Sequence, residues 1–356
     1  MSSPQDVTAR EAAERWLSKR EIDLTEDTLA TYWYRIKQIV EFCESEGIES
    51  LSDLTPWKLD EFDARRRSRD PQKVSLSKEY RTMNNWLEWA ETLGIAQDGI
   101  SEVLNPPQTS TDEEVNTERL DPELAASTIR EFRSQPVGAS RATLQHVLLE
   151  LEWWTGARMS ALRGIDMEDV DLDEGTIEFY HRPDTGTPIK QAHNPERKVG
   201  LADPAVDVLR DYVREVRDKV RDEHRRRPLL TTAQGRASKT TIRRYTYFAT
   251  LPCQSVECPH DREPGSCEWM SLRAARSCPS ARSPHAVRTG AISNLRNSGW
   301  DLDDVAERVN TGPKRLIQHY DFPTMDEQYR ERRADLVDLL RLDDEDDSAN
   351  TQDDDQ

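Results

Sequence analysis

No apolar run in this chain approaches the roughly 20 residues that a membrane-spanning helix needs, and the N-terminal MSSPQDVTAREAAERW has no signal-peptide core. Neither a span nor secretion is expected, and the reading is a cytoplasmic protein. Cysteine is scarce, at 5 of 356 residues, which leaves no disulfide framework for a small secreted fold. No internal repeat is visible. Positive charge is in deficit, since 49 Lys and Arg face 68 Asp and Glu for a formal net charge of -19. Spread evenly, that balance would argue against a polyanionic partner, because phosphate binding is driven by Lys and Arg releasing counterions. Distribution matters more than the sum. The terminal LDDEDDSANTQDDDQ concentrates acid in one place, and residues 343–356 read as a disordered acidic tail. A high acid load with arginine preferred over lysine also suits a cytoplasm at molar salt. There, shape and bidentate contacts carry more of any affinity for a polyanion than diffuse attraction does.

The length suits two domains with a core each. From Thr28 to Glu46, Leu29, Tyr32, Trp33, Ile36, Ile39, Val40 and Cys43 recur at helical spacing, and Gly47 stands where a C-cap would be. Cys43 on that apolar face reads as a core residue. Shorter helices are expected around Ala12 to Arg20, from Thr55-Pro56 through Phe62, and from Ser77 to Ala90, so that residues 1–102 form a helical domain. The polar, proline-containing NPPQTSTDEEVNTER marks a linker over 103–120. Residues 121–342 make the second unit, which is mixed and mostly helical. It opens with Asp121-Pro122 as a helix start, runs through an apolar helix from Leu144 to Trp154, and places GTIEFYHR and ERKVGLAD as strands around the turn-rich PDTGTP. The expected fold class is mostly α with a small β-sheet.

The second unit carries the chemistry. Arg158 in TGARMSALRG follows a helix break at Thr155-Gly156, where a side chain is held by backbone yet open to a ligand. His285 and Arg288 follow Ser283-Pro284, a helix start, and their i, i+3 spacing puts both on one face near a positive dipole end. Tyr320 in QHYDFP comes about thirty residues later. Two guanidiniums clamping non-bridging oxygens, a histidine to manage a proton and a tyrosine to attack are the parts of a phosphoryl-transfer site that needs no metal. Each element alone has a plainer reading: a salt-bridge arginine, or an H-x-x-R found by chance. Their order along the chain is what is specific. Tyr329, in DEQYRERR, is the rival nucleophile, with a packing or exposed role the simpler one.

On these residues the chain resembles the tyrosine recombinases of the phage integrase family, and is similar to the integrase-like proteins of halophilic archaea. The resemblance implies an N-terminal helical (SAM-like) core-binding domain and a mixed α/β catalytic domain. It implies Arg158 as the first arginine, Lys190 in GTPIKQ as the hairpin lysine that protonates the leaving 5'-oxygen, His285 and Arg288 as the H-x-x-R pair, and Tyr320 as the nucleophile. Lys198, in the returning strand, is the lesser candidate. Two positions depart from the family pattern. Asn310 in RVNTGPKRLIQHY stands, with one extra intervening residue, where His or Trp is usual, and Ala161 stands where an acid often follows the first arginine. The resemblance also makes Arg65, Arg66, Arg67, Arg69, Lys73, Lys78 and Arg81 a DNA-clamping face, although a basic helix end is equally a solvated one. It implies double-stranded DNA as partner, four protomers on two duplexes, no cofactor for catalysis, and Leu336, Val337, Leu339 and Leu340 as an apolar contact to a neighbour. The alternatives are a relaxing enzyme of the type IB topoisomerase kind and a non-cleaving DNA-binding protein with a degenerate site.

Four cysteines, Cys253, Cys258, Cys267 and Cys278, fall in one inserted segment over 253–278, with His260 among them as an alternative ligand. In a cysteine-poor cytosolic chain such a cluster points to a structural tetrahedral Zn site.

Overall fold

The structure, a computed structural model, describes residues 6–189 and 196–340. Lys190 and the acidic tail lie outside the described residues. The chain divides into two compact units, Met1–Val115 and Asn116–Gln356. Among the described residues no helix is long and apolar enough to cross a membrane.

The first unit holds α1 (Ala9–Ser18), α2 (Glu26–Ser45), α3 (Pro56–Arg67), α4 (Lys73–Thr92) and the single turn α5 (Thr111–Glu114). Local signals set its boundaries. Thr8 and Glu11 close a capping box on α1, Thr55 accepts from the Lys58 amide ahead of Pro56, and Gly47 takes the left-handed φ of 70° that lets the chain leave α2. Trp16, Ile36, Ile39, Leu59, Tyr80, Met83 and Trp86 make the core. Cys43 sits within it, and burial pushes its thiol up to about 12, so it is an inert core residue. The segment read as a linker is partly ordered: Ser110 and Glu113 box α5, and Glu113 pairs with Lys73 at 2.8 Å.

The second unit runs α6 (Pro122–Ser134), α7 (Leu144–Thr155), α8 (Met159–Gly164), β1 (Val170–Asp171), β2 (Thr176–Phe179), β3 (Arg197–Gly200), α9 (Asp203–Asp211), β4 (Thr231–Thr232), β5 (Gly235–Arg236), α10 (Lys239–Ala249), α11 (Pro284–Asn297), α12 (Leu302–Arg308), α13 (Pro313–His319) and α14 (Met325–Arg330). The three antiparallel strands β1, β2 and β3 lie in sequence order, with Ile177 opposite Val199 and Phe179 opposite Arg197. The strands β1, β4 and β5 have only two residues each, too short to show a period in sequence. α7 packs against α6, α8, α9, α10 and α11, which is why it is apolar on nearly every side. One contact admits no side chain at all: a Cβ on Gly290 of α11 would lie 2.2 Å from the Leu120 carbonyl oxygen, whose residue's amide donates to Ala286 O at 2.9 Å.

Candidate active site

Three helix ends converge. α7 stops at Gly156, whose φ of 56° reverses the chain and leaves Arg158 at the N-cap of α8. A Cβ there would also meet Val309 Cγ1 at 2.7 Å, so α7 and the end of α12 approach as closely as glycine permits. α11 starts on Ser283, whose hydroxyl accepts from the Ala286 amide, with Pro284 in the first turn. From this start His285 stays exposed, while Arg288 is only 2% exposed. α12 ends in a Schellman turn: the Asn310 amide donates to Glu307 O at 3.0 Å and the Thr311 amide to Ala306 O at 2.9 Å. Asn310 takes the left-handed φ of 52° that this turn requires, a conformation asparagine tolerates better than most residues.

That turn holds the arginines. Arg288 Nη1 donates to Gly156 O at 2.5 Å and to Val309 O at 2.8 Å, and Arg158 Nη1 donates to Asn310 O at 2.7 Å. Tyr320, the C-cap of α13, is 5% exposed and packs with Ile292, Val305, Val309 and Leu316. Its ring centroid lies 5.3 Å from that of His285 and 4.7 Å from Arg288 Cζ. Two arginines, the histidine and the tyrosine therefore meet.

Burial raises the phenol pKa of Tyr320, but the charges of Arg288 and Arg158 outweigh it and leave the phenol below its ordinary value. The imidazole of His285 is also held below its usual range, by desolvation on the protein side and then by Arg288, Arg158 and His319. A neutral imidazole can accept a proton. Burial brings the Arg288 guanidinium down to about 10, still protonated near neutrality. Four buried donor groups, Arg288 Nε, Arg288 Nη2, Asn310 Nδ2 and Thr311 Oγ1, have no hydrogen-bond partner among the described residues. The pull of Arg288 on the phenol is thus one of charge more than of a formed hydrogen bond. Orphaned buried donors are costly, and an anion among them would remove that cost.

The other expected residues fall differently. Lys198 pairs with Glu174 at 2.8 Å on an exposed face, away from this cluster. Tyr329 is 57% exposed on α14. Ala161 is buried in the core under α8 and supplies no acid. Arg197 also reaches the end of α12, its Nε donating to Arg308 O at 2.7 Å, a placement that sequence reasoning missed. A strand's period of two carried the signal, since Arg197 shares a face with buried Val199 and opposes exposed Lys198.

The basic run of the first unit is largely paired. Arg65 bonds Glu46 at 2.8 Å and Glu61 at 2.5 Å, Arg66 holds the nearly buried Glu79 through two bonds of 2.8 Å, and Arg67 holds Asp63 at 2.7 Å. Lys73 is paired with Glu113, and Arg81 stands 3.8 Å from Glu114. Arg69 and Lys78 are the exposed members without such an ion pair among the described residues.

The expected zinc site is not assembled. No group of three His, Cys, Asp or Glu side chains stands as it would around a metal among the described residues. The four thiols are free. Cys278 packs with Leu251, Ala275 and Ala281, Cys253 Sγ lies 3.4 Å from Met270 Sδ, and His260 Nε2 shares a 3.0 Å hydrogen bond with Ser280 Oγ. As they lie, Cys253 and Cys278 act as small apolar residues of a satellite core.

No family model matches the chain. It is 24% identical over 160 residues to tyrosine recombinase XerC of Pseudomonas syringae pv. syringae, a match covering 45% of this chain and 52% of that protein. It is 25% identical over 358 residues to tyrosine recombinase XerC of Chlorobaculum tepidum, covering 92% and 97%. Against the Pseudomonas relatives the chain spans about half of their length. The fold is similar to that of the Tn1549 transposon integrase in complex with a circular intermediate DNA, with a TM-score of 0.60 at 14% identity over 94% of this chain and all of that one.

Proposed function

We propose that this chain, a member of the tyrosine recombinase and integrase family, cuts and rejoins DNA at specific sites through a tyrosine–phosphate link. The observation that carries the reading is the set of buried donors of Arg288, Asn310 and Thr311 that have no hydrogen-bond partner among the described residues, with Arg288 Cζ standing 4.7 Å from the Tyr320 ring centroid. Tyr320 Oη attacks a backbone phosphate and forms an O–P bond as the bond from phosphorus to the 5'-oxygen breaks. His285, held neutral, takes the phenol proton, and Arg158 and Arg288 neutralise the charge that develops on the non-bridging oxygens. The 5'-hydroxyl released then attacks a phosphotyrosine to restore a phosphodiester. The link conserves bond energy, so the cycle asks for neither a nucleotide nor a catalytic metal. We assign Lys190 as donor of the proton to the leaving oxygen, on the resemblance alone.

The test is a nicked suicide duplex that traps the covalent form. The parent should be trapped and Tyr320→Phe should not, while Tyr329→Phe behaves as the parent. Trapping by Tyr320→Phe sinks the assignment.

Double-stranded DNA and further copies of the chain are the proposed partners. The apolar segment after Tyr320 supports the second, since Leu336 is 53% and Leu340 78% exposed. An acid-rich, arginine-weighted composition supports a cytoplasm at high salt. The finer reading of the cysteine loop is a structural zinc. What supports it is the clustering of Cys253, Cys258, Cys267 and Cys278, with His260 among them, in one short segment of an otherwise cysteine-poor chain. Metal analysis of purified protein should find about one zinc per chain, with melting lowered by a chelator. Zinc-free protein that melts and cleaves normally would end that reading.

A further inference from the structure

The turn that closes α12 presents three consecutive carbonyls, and each accepts from a different arginine. Arg308 O takes Arg197 Nε at 2.7 Å, Val309 O takes Arg288 Nη1 at 2.8 Å, and Asn310 O takes Arg158 Nη1 at 2.7 Å. The last carbonyls of a helix carry its partial negative charge and have no partner within it, so they are natural acceptors for guanidiniums. Three residues far apart in the chain are thereby held side by side on one turn. Two of them are the arginines already assigned to the phosphate.

We propose that Arg197 is a third arginine of the phosphate site, seated by the same turn and acting through its charge on the scissile phosphate. The inference rests on the recombinase reading above. The strand fixes its direction: Arg197 is opposite Phe179 in the sheet register, and its Cζ stacks 4.0 Å from the Phe179 ring centroid. That packing keeps the guanidinium turned toward α12, while Lys198 on the other face of β3 pairs with Glu174. Backbone carbonyls offset only part of the repulsion among three gathered cations, whereas a phosphodiester between them would offset much more. Consistent with this, burial first and then Arg288, Arg158 and Arg308 bring the Arg197 guanidinium down to about 9. A desolvated cation of this kind is matched to an anion that enters and leaves.

Two substitutions separate charge from scaffolding. Arg197→Lys keeps a cation and a donor for Arg308 O, and Arg197→Gln keeps a donor but no charge. Single-turnover cleavage of the nicked suicide duplex should fall about a hundredfold in Arg197→Gln, as for loss of one preorganised transition-state contact. In Arg197→Lys it should stay within about tenfold of the parent, because the charge remains. Melting temperatures of both should stay close to the parent's. Parental cleavage by Arg197→Gln overturns the proposal. So does an equal loss in both variants, which would make Arg197 a holder of the turn only. Either result leaves the recombinase reading intact as long as the parent is trapped and Tyr320→Phe is not, while a parent that forms no link overturns both.

Discussion

Tyr320 shows how burial and charge divide the labour at one residue. A buried phenol alone would be a weaker nucleophile than a free one, and only the two guanidiniums reverse that. Glu152 is the opposite case. It lies inside α7, about 1% exposed, with Thr246 Oγ1 donating to one oxygen at 2.8 Å and the other oxygen without a partner among the described residues. Burial pushes its carboxyl up to about 8 against the smaller pull of Thr246. A folded pKa above the unfolded value of about 4.3 means that this group's contribution to stability is full below the unfolded value and is lost as pH rises through about 8. Thermal melting of the parent should therefore decline between pH 6 and pH 9. Glu152→Gln should flatten that decline and melt above the parent at pH 9, whereas parallel pH profiles for the two proteins would contradict the assignment.

At the scale of elements, the end of α12 does two jobs. Asn310 lets the helix stop, and it aims a buried amide and a carbonyl at the site. The two roles separate on substitution. Asn310→Gly keeps the left-handed turn and loses the amide, and Asn310→Ala loses both. If the amide donates to the phosphate, Asn310→Gly should melt near the parent and cleave about a hundredfold more slowly. Asn310→Ala should add a loss of stability of about 1 kcal/mol for a side chain forced into a left-handed conformation. Parental cleavage by Asn310→Gly would reduce the residue to a turn-former.

Across the whole molecule, net charge misleads because so many arginines are matched with acids. Arg66 holds Glu79, which is only 6% exposed, so removing that arginine strands a carboxylate. Arg66→Ala should cost the helical unit on the order of 3 kcal/mol of stability, as for breaking a buried pair. Lys78→Ala and Arg69→Ala should leave melting unchanged and lower DNA affinity, each reducing the magnitude of the salt-dependence slope by about 1. DNA titrations over a salt series would check this, and an unchanged slope in both exposed variants would remove this face from the DNA contact.

Local signals made much of this legible in sequence. Helix starts at Thr55-Pro56, Asp121-Pro122 and Ser283-Pro284 are observed as caps, because a cap is decided by a few adjacent residues. The order Arg158, His285, Arg288, Tyr320 was readable for the same reason, each residue having its own short motif. What the sequence could not hold is which carbonyl a guanidinium reaches. Arg158 finds its acceptor 152 residues away and Arg197 finds one 111 residues away, and nothing near either residue encodes that meeting. The same holds for Arg65 and Arg66, which meet Glu46 and Glu79 from outside α3, and for Cys253 and Cys278, which pack with Leu251, Ala275 and Ala281. Periodicity and caps determine which face an element presents, since they act within a few residues. Only the packing of α7, α11, α12 and β3 against one another decided which charges share a pocket, because that depends on close approaches such as Gly156 on Val309 that no local pattern specifies.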